Sequence, residues 1–260
     1  SQAHAGLIGS ILAMNTKNNK ERVFFGTMGL LGFLGMFLSG TRGAIAVPAA
    51  GFFLYIILIK NYKILAMGIL SGIALFVFFK YTTIGQDNYH IRRMRTAFDP
   101  NDASLQVRLE NQRKLASYLK TRPLGGGIGS AGNWGQRFSP NGFLANVPTD
   151  SWYVQIWAEQ GIIGLSLHLF ILFFIVIKAS YIIMFKIKNK AIRIRLMALA
   201  SGVFGIMGAS YGNGVLGQSP TGPLIYISMA FLFMGKDLDE QYNSKTHIDE
   251  PQKRTLTESY

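Results

Sequence analysis

Arg42 in LSGTRG (38–43), Arg108 in the run ASLQVRLENQRKLASYL and Asp150 in VPTDSWYVQIWAEQGIIG (147–164) have side chains suited to chemistry. Two arginines hold a phosphate or pyrophosphate through fork-like, charge-assisted hydrogen bonds. A carboxylate beside them orients or deprotonates a hydroxyl. Singly, each residue has a plainer use. Arg42 suits a membrane interface, with its head in water. Arg108 suits a solvated helix face. Asp150 directly precedes a helix, where an aspartate cap is worth about 1 kcal/mol. The three carry joint meaning only if the rest of the chain brings them to one side.

That rest reads as a membrane protein. Of 260 residues, 49% are apolar and 15% charged, and mean hydropathy is +0.25. Soluble domains hold about 25% charged residues. The net charge of +13 is uneven: residues 1–235 carry 22 Lys/Arg and 7 Asp/Glu, residues 236–260 carry 4 and 6. A basic balance suggests nucleic acid or anionic lipid as partner. Nucleic acid is disfavoured, because the basic residues fall on both sides of a membrane and no recognised binding module is present. There is no cysteine, which excludes disulfides and thiolate metal sites.

A crossing helix needs about 20 apolar residues. Six candidates fit with short flanks: Val23–Ser39, Gly43–Ile59, Ile64–Phe79, Gly161–Phe185, Leu196–Tyr211 and Pro220–Met234. The expected fold class is therefore all-α, a polytopic transmembrane helix bundle. AHAGLIGSILAM reads as the end of an earlier apolar segment, so the chain is expected to be the C-terminal part of a longer protein whose N-terminal helices are missing. No signal peptide of the usual form is present. The connections KNNKER (17–22), KNYK (60–63) and KIKNKAIRIR (186–195) carry 3, 2 and 5 Lys/Arg, while GTR (40–42) carries one and GNGVLGQS (212–219) none. The positive-inside rule puts the basic set in the cytoplasm. Residues 1–235 form the expected membrane domain and residues 236–260 a cytoplasmic, disordered tail. The segment from about 80 to 150 becomes a long periplasmic loop, with Trp152 and Trp157 at an outer aromatic belt.

Within that loop a helix is predicted from Ala103 to Thr121, capped by Asp102 and stopped by Pro123. Leu105, Leu109, Leu115 and Leu119 give it an apolar face; Arg108, Arg113, Lys114 and Lys120 supply charge. Such an amphipathic helix suits a membrane surface. The following GIGSAG (127–132) matches a dinucleotide fingerprint in letters only, because no strand–turn–helix unit surrounds it. Gly127 and Gly129 are better read as letting the backbone bend and approach something closely; a flexible loop is the alternative. Asp99 and Asp102 read as turn and cap residues. The acid pair in DLD (237–239) lies away from the loop, and histidines 4, 90, 168 and 247 lack ligand spacing. No metal site is expected. His168 falls inside the fourth span, where an ionisable residue invites a functional reading; a hydrogen bond to a neighbouring helix is the plainer one.

Taken in order, LSGTRG, then RLENQ with RPLGGGIG, then TDSWYVQIWAEQGIIGL resemble the O-antigen ligase and O-antigen polymerase family over about residues 30–180. AEQGIIG is the most specific piece. The resemblance implies a multi-pass glycosyltransferase of the bacterial inner membrane with more helices than six. It implies transfer of a glycan from undecaprenyl pyrophosphate, on the periplasmic face, to lipid A–core (ligase) or to another lipid-linked glycan (polymerase), with no cofactor and no metal. It makes Arg42 and Arg108 pyrophosphate-binding candidates, Asp150 the catalytic acid–base candidate, and Arg113, Gly127, Gly129 and Tyr153 further substrate-binding candidates. The family often opens the fourth-helix motif with histidine, in a pattern like His-Asn-x-Tyr; Asp150, Ser151, Trp152 and Tyr153 stand there in this chain. Two rivals remain. A transporter or flippase predicts paired ionisable residues or broken helices near the bilayer midplane. A non-catalytic export component predicts that Arg42, Arg108 and Asp150 lie apart.

Overall fold

Alternation of long apolar runs with short polar connections produces a helical bundle, and the computed structural model of the protein describes residues 1–96 and 101–244. No strand occurs among the described residues. The helices are α1 (Gln2–Asn15), α2 (Asn19–Leu38), α3 (Ala46–Leu58), α4 (Tyr62–Tyr81), α5 (Tyr89–Arg95), α6 (Ala103–Leu119), α7 (Gly132–Phe138), α8 (Trp152–Phe185), α9 (Lys190–Ala209) and α10 (Thr221–Phe233). By length and composition α2, α8 and α9 are able to cross a membrane, and residues 43–58, 66–81 and 221–233 form shorter apolar helices. The all-α membrane bundle is thus the observed fold, and the six expected spans correspond to α2, α3, α4, α8, α9 and α10.

The central helix is α9, which packs against α1, α3, α8 and α10. Its buried side chains, Leu196, Val203 and Ile206 among them, join Leu7, Ile11, Val47, Leu54, Leu172 and Ile225 in the main core. Outward-facing Phe170, Phe174 and Ile177 of α8 and Leu30, Leu31 and Leu34 of α2 stay exposed, as expected where lipid replaces water as the solvent. Small residues bring α1 onto α2: a Cβ at Gly32 would crowd the backbone of Gly6.

The charge pattern maps onto two ends of the bundle. At one end Lys60 Nζ donates to the Met184 carbonyl at 2.8 Å, and Asn15 Nδ2 donates to the Tyr55 hydroxyl at 2.7 Å. At that end also, the backbone N–H groups of Lys188 and Asn189 donate to the Asp239 carboxylate at 3.0 and 2.8 Å. The lysine-rich connections therefore cluster together, opposite Thr41 and Asn213. The segment that holds Asp239 corrects one expectation. Residues 235–244 are helical where a disordered tail was expected from 236, and the DLD motif anchors that helix to the α8–α9 turn. Residues 245–260, which include His247, lie outside the described residues.

Helix α6 begins as predicted, with the Asp102 carboxylate accepting from Leu105 N–H at 3.2 Å. Its apolar face has a different neighbour from the expected bilayer. Leu115 and Leu119 are buried against Ala131, Leu144, Val147 and Ala158, with Trp157 packed alongside. Trp157 thus belongs to a protein cluster rather than a free aromatic belt. Asp99 lies outside the described residues.

Candidate functional site

The site is built around a break in α8. Gly161 has φ 67° and ψ −168°, a region essentially restricted to glycine. In a straight helix the sixteen steps from Trp152 to His168 would span about 24 Å. Instead Trp152 Nε1 donates to His168 Nε2 at 3.1 Å. The outer arm, residues 152–160, therefore folds back beside the apolar arm. The partner of His168 comes from the same helix across its break, rather than from the neighbouring helix that was expected.

The glycine-rich turn holds this break from above. Gly126 N–H donates to the Ala158 carbonyl and Gly127 N–H to the Glu159 carbonyl, both at 2.9 Å. A Cβ on Gly161 would overlap the Pro123 carbonyl. Of the two glycines singled out from the sequence, Gly127 reaches the protein's own helix through its N–H, Gly129 does not, and the tightest approach is made by Gly125.

Folding back brings Asp150 to Arg108. Arg108 Nε donates to Asp150 Oδ2 at 3.4 Å, with the two side chains 38% and 48% exposed. The sequence reading of Asp150 as helix cap is corrected here. The N-cap of α8 is Ser151, and no side chain caps that end. Ser151 Oγ donates to the Ser210 carbonyl at 3.2 Å, while Trp152 N–H reaches the carbonyls of Ser210 and Asn213. These bonds seat the start of α8 on the end of α9 and leave the Asp150 carboxylate free to face Arg108. The contact uses Nε alone, so the two Nη groups of Arg108 keep donors for a ligand.

Both residues line a cavity of about 920 Å³. Thr41 and Ala44, the wall residues on either side of Arg42 and Gly43 in the chain, border it too; the Arg42 side chain lies outside the described residues. Gly129 and Trp134 close one side, and Met36, Val47 and Ile206 form an apolar portion. Trp152, Gln155 and Glu159 line it from the outer arm of α8, at the i, i+3, i+7 spacing that shares one helix face. Glu159 is only 7% exposed. Its Oε1 accepts from Ala131 N–H and from Gln155 Nε2, each at 3.4 Å.

The remaining candidates fare differently. Arg113 is exposed on α6 and does not line the cavity. Gly127 serves the turn. Tyr153 donates its hydroxyl to the Met207 carbonyl at 2.8 Å and packs beside His168, which fastens α8 to α9. Sequence reading missed Gln155, Glu159, Trp134 and Asn213 as wall residues. The spacing in WYVQIWAE signalled the first two. Asn213 sits in an uncharged connection and becomes visible only once the end of α9 lies beneath Ser151. Among the described residues, no three His, Cys, Asp or Glu side chains come together as a metal cluster.

The O-antigen ligase family model matches residues 27–169, more than half of the chain and the whole of the wall from Thr41 to Glu159. The chain belongs to the O-antigen ligase family. It is also 32% identical, over 140 residues, to an "O-antigen polymerase" of Salmonella muenchen; the match covers 53% of this chain and 34% of that protein. The chain thus spans about a third of the length of that relative. No solved structure matches. Within this O-antigen ligase family member, LSGTRG, α6, the glycine-rich turn and the outer arm of α8 all fall in the matched region and converge on one cavity.

Proposed function

We propose that the protein is a membrane glycosyltransferase of O-antigen biosynthesis. It moves a glycan from undecaprenyl pyrophosphate to a sugar hydroxyl on the periplasmic face of the bacterial inner membrane. The observation that carries this reading is the Arg108–Asp150 pair, 3.4 Å apart, on the wall of the cavity at the end of the bundle opposite the lysine-rich connections. Family membership supports the same reading.

In the step, the acceptor hydroxyl oxygen forms a bond to the anomeric carbon as the bond from that carbon to the pyrophosphate oxygen breaks. The lipid pyrophosphate leaves with the electron pair, and the hydroxyl proton passes to Asp150. Charge grows on the leaving oxygens. Arg108 stabilises it electrostatically, and Arg42 is the second candidate for that role. Attack opposite the leaving group inverts the anomeric centre. The acceptor is lipid A–core or a second lipid-linked glycan. The exposed Arg113 and Lys114 of α6 and Lys120 just beyond its end draw anionic lipid head groups toward the entrance.

The test replaces Arg108 and Asp150 singly by Ala in the membrane-inserted protein and assays surface polymer at matched protein levels. Both variants are expected to lose polymer. Normal polymer from Arg108→Ala would overturn the pyrophosphate reading. The phenotype of a deletion strain separates the acceptors. Single repeats on core with no longer chains mean polymerase; accumulated lipid-linked polymer means ligase.

A further inference from the structure

We infer that the cavity wall formed by α7 and the outer arm of α8 is a subsite for an uncharged saccharide, separate in chemistry from the Arg108–Asp150 mouth. This rests on the reading of the cavity as a glycan-transfer site, and it says which wall meets the sugar. Trp134 stands on α7 and lines the cavity, yet it is 56% exposed. Phe138 stacks on it, with centroids 5.8 Å apart and planes 5° from parallel. Phe138 thus covers part of one ring face, and more than half of the Trp134 surface stays open. A pyranose ring presents a face of C–H bonds, which packs on the electron-rich face of an indole.

The polar groups around Trp134 suit the same ligand. Asn133 and Gln155 contribute carboxamides and Glu159 a carboxylate, with no cation among the three. A carboxamide donates and accepts side by side, which matches neighbouring sugar hydroxyls. Among its described residues, a phosphate would find no cationic side chain on this wall. Gln155 and Glu159 touch each other only at 3.4 Å, the long end of hydrogen bonding. Gln155 Oε1 and Glu159 Oε2 therefore remain for hydroxyls. The single cationic side chain of the described lining, Arg108, sits with Asp150. The lining thus holds a cationic part fit for pyrophosphate and a part without cationic side chains, with an aromatic floor, fit for sugar.

The experiment is calorimetric titration of the protein in lipid nanodiscs with the source strain's own repeat-unit oligosaccharide, released so that it carries no pyrophosphate. Trp134→Ala is expected to weaken binding by about tenfold or more, and Trp134→Phe, which keeps a stacking face, by much less. Gln155→Ala is expected to fall between them, and Glu110→Gln, exposed on α6 and outside the cavity lining, to bind as wild type. Trp134 is largely exposed, so an unchanged thermal midpoint in Trp134→Ala confirms that the fold persists; if the midpoint drops, Trp134→Phe against Trp134→Leu gives the same contrast. Wild-type affinity in Trp134→Ala, or no saturable binding by the wild type, overturns the subsite. The donor reading fails separately, through normal polymer from Arg108→Ala, so each idea is able to fall without the other.

Discussion

Asp150 and Glu159 are nine residues apart, border the same cavity and carry the same chemical group, yet their surroundings assign them different work. The Asp150 side chain is 48% exposed and meets one guanidinium nitrogen at 3.4 Å. An exposed pair of this kind contributes about 0–1 kcal/mol to stability, so holding the fold is a poor reason for it. Glu159 is 7% exposed and, among the described residues, its partners are neutral: the Ala131 N–H and the Gln155 amide. A carboxylate buried without a cation costs stability unless donors compensate. One acid is therefore free to act and to change partners, whereas the other is bound to the wall and fixes the start of α7 against α8.

The largest effect should come from the element that places both acids. Gly161→Ala would need a glycine-only backbone conformation, which costs on the order of 1–3 kcal/mol, and would also drive a Cβ into the Pro123 carbonyl. We expect little folded protein to reach the membrane. Wild-type levels and thermal midpoint in that variant would show that the bend at Gly161 is dispensable, and the contrast between the two acids would lose its structural basis.

Next in size, Asp150→Ala should reduce transfer by about 10²–10⁴-fold, the usual contribution of a positioned proton acceptor, with a thermal midpoint close to wild type. Asp150→Asn keeps an oxygen for Arg108 but cannot take the proton, so it should resemble Ala in activity. Full activity in Asp150→Asn would remove the acid–base role. Glu159→Gln should behave in the opposite way. Its amide oxygen still accepts from the Ala131 N–H, so polymer should fall by only a few-fold. Glu159→Ala, which drops the tether, should lower the thermal midpoint. A larger activity loss in Glu159→Gln than in Asp150→Asn would reverse the assignment of the two acids.

How far the sequence foretold this contrast varies with the physics involved. The six apolar spans and the start of α6 at Asp102 were legible because burial in lipid and helix capping act locally. The sorting of lysine-rich connections to one end was legible because charge alone dictates it. The convergence of Arg108 and Asp150 was anticipated, but the geometry that achieves it was not. A cap at Asp150 was the natural reading of TDSW. That reading failed because the Ser210 and Asn213 carbonyls take the Trp152 N–H, a long-range arrangement with no local signature. The bend at Gly161 was equally hidden. EQGIIG reads as uninterrupted helix until Pro123 and Gly125 are known to press upon it. The Asp239 lock on Lys188 and Asn189 escaped for the same reason, since its partners lie fifty residues away.

The smallest expected effect calibrates the rest. Glu110 is fully exposed and pairs with Lys114 at 2.8 Å, one turn along α6. Its hydrogen bond to Lys114 and the lysine charge hold its carboxyl below the usual range. Any stability from the pair is therefore present above the ordinary glutamate range and is lost as pH falls through the lowered value. The pair resembles Arg108–Asp150 in being an exposed contact between a base and an acid, but it does not line the cavity. Glu110→Gln should leave both polymer and thermal midpoint at wild type, measured beside Asp150→Asn at the same expression level. If the two substitutions lowered polymer equally, loss of any acidic group near the basic loop would explain both. The special role of Asp150 would then reduce to overall charge. If only Asp150→Asn lost activity, position on the cavity wall would be what distinguishes one exposed ion pair from the other.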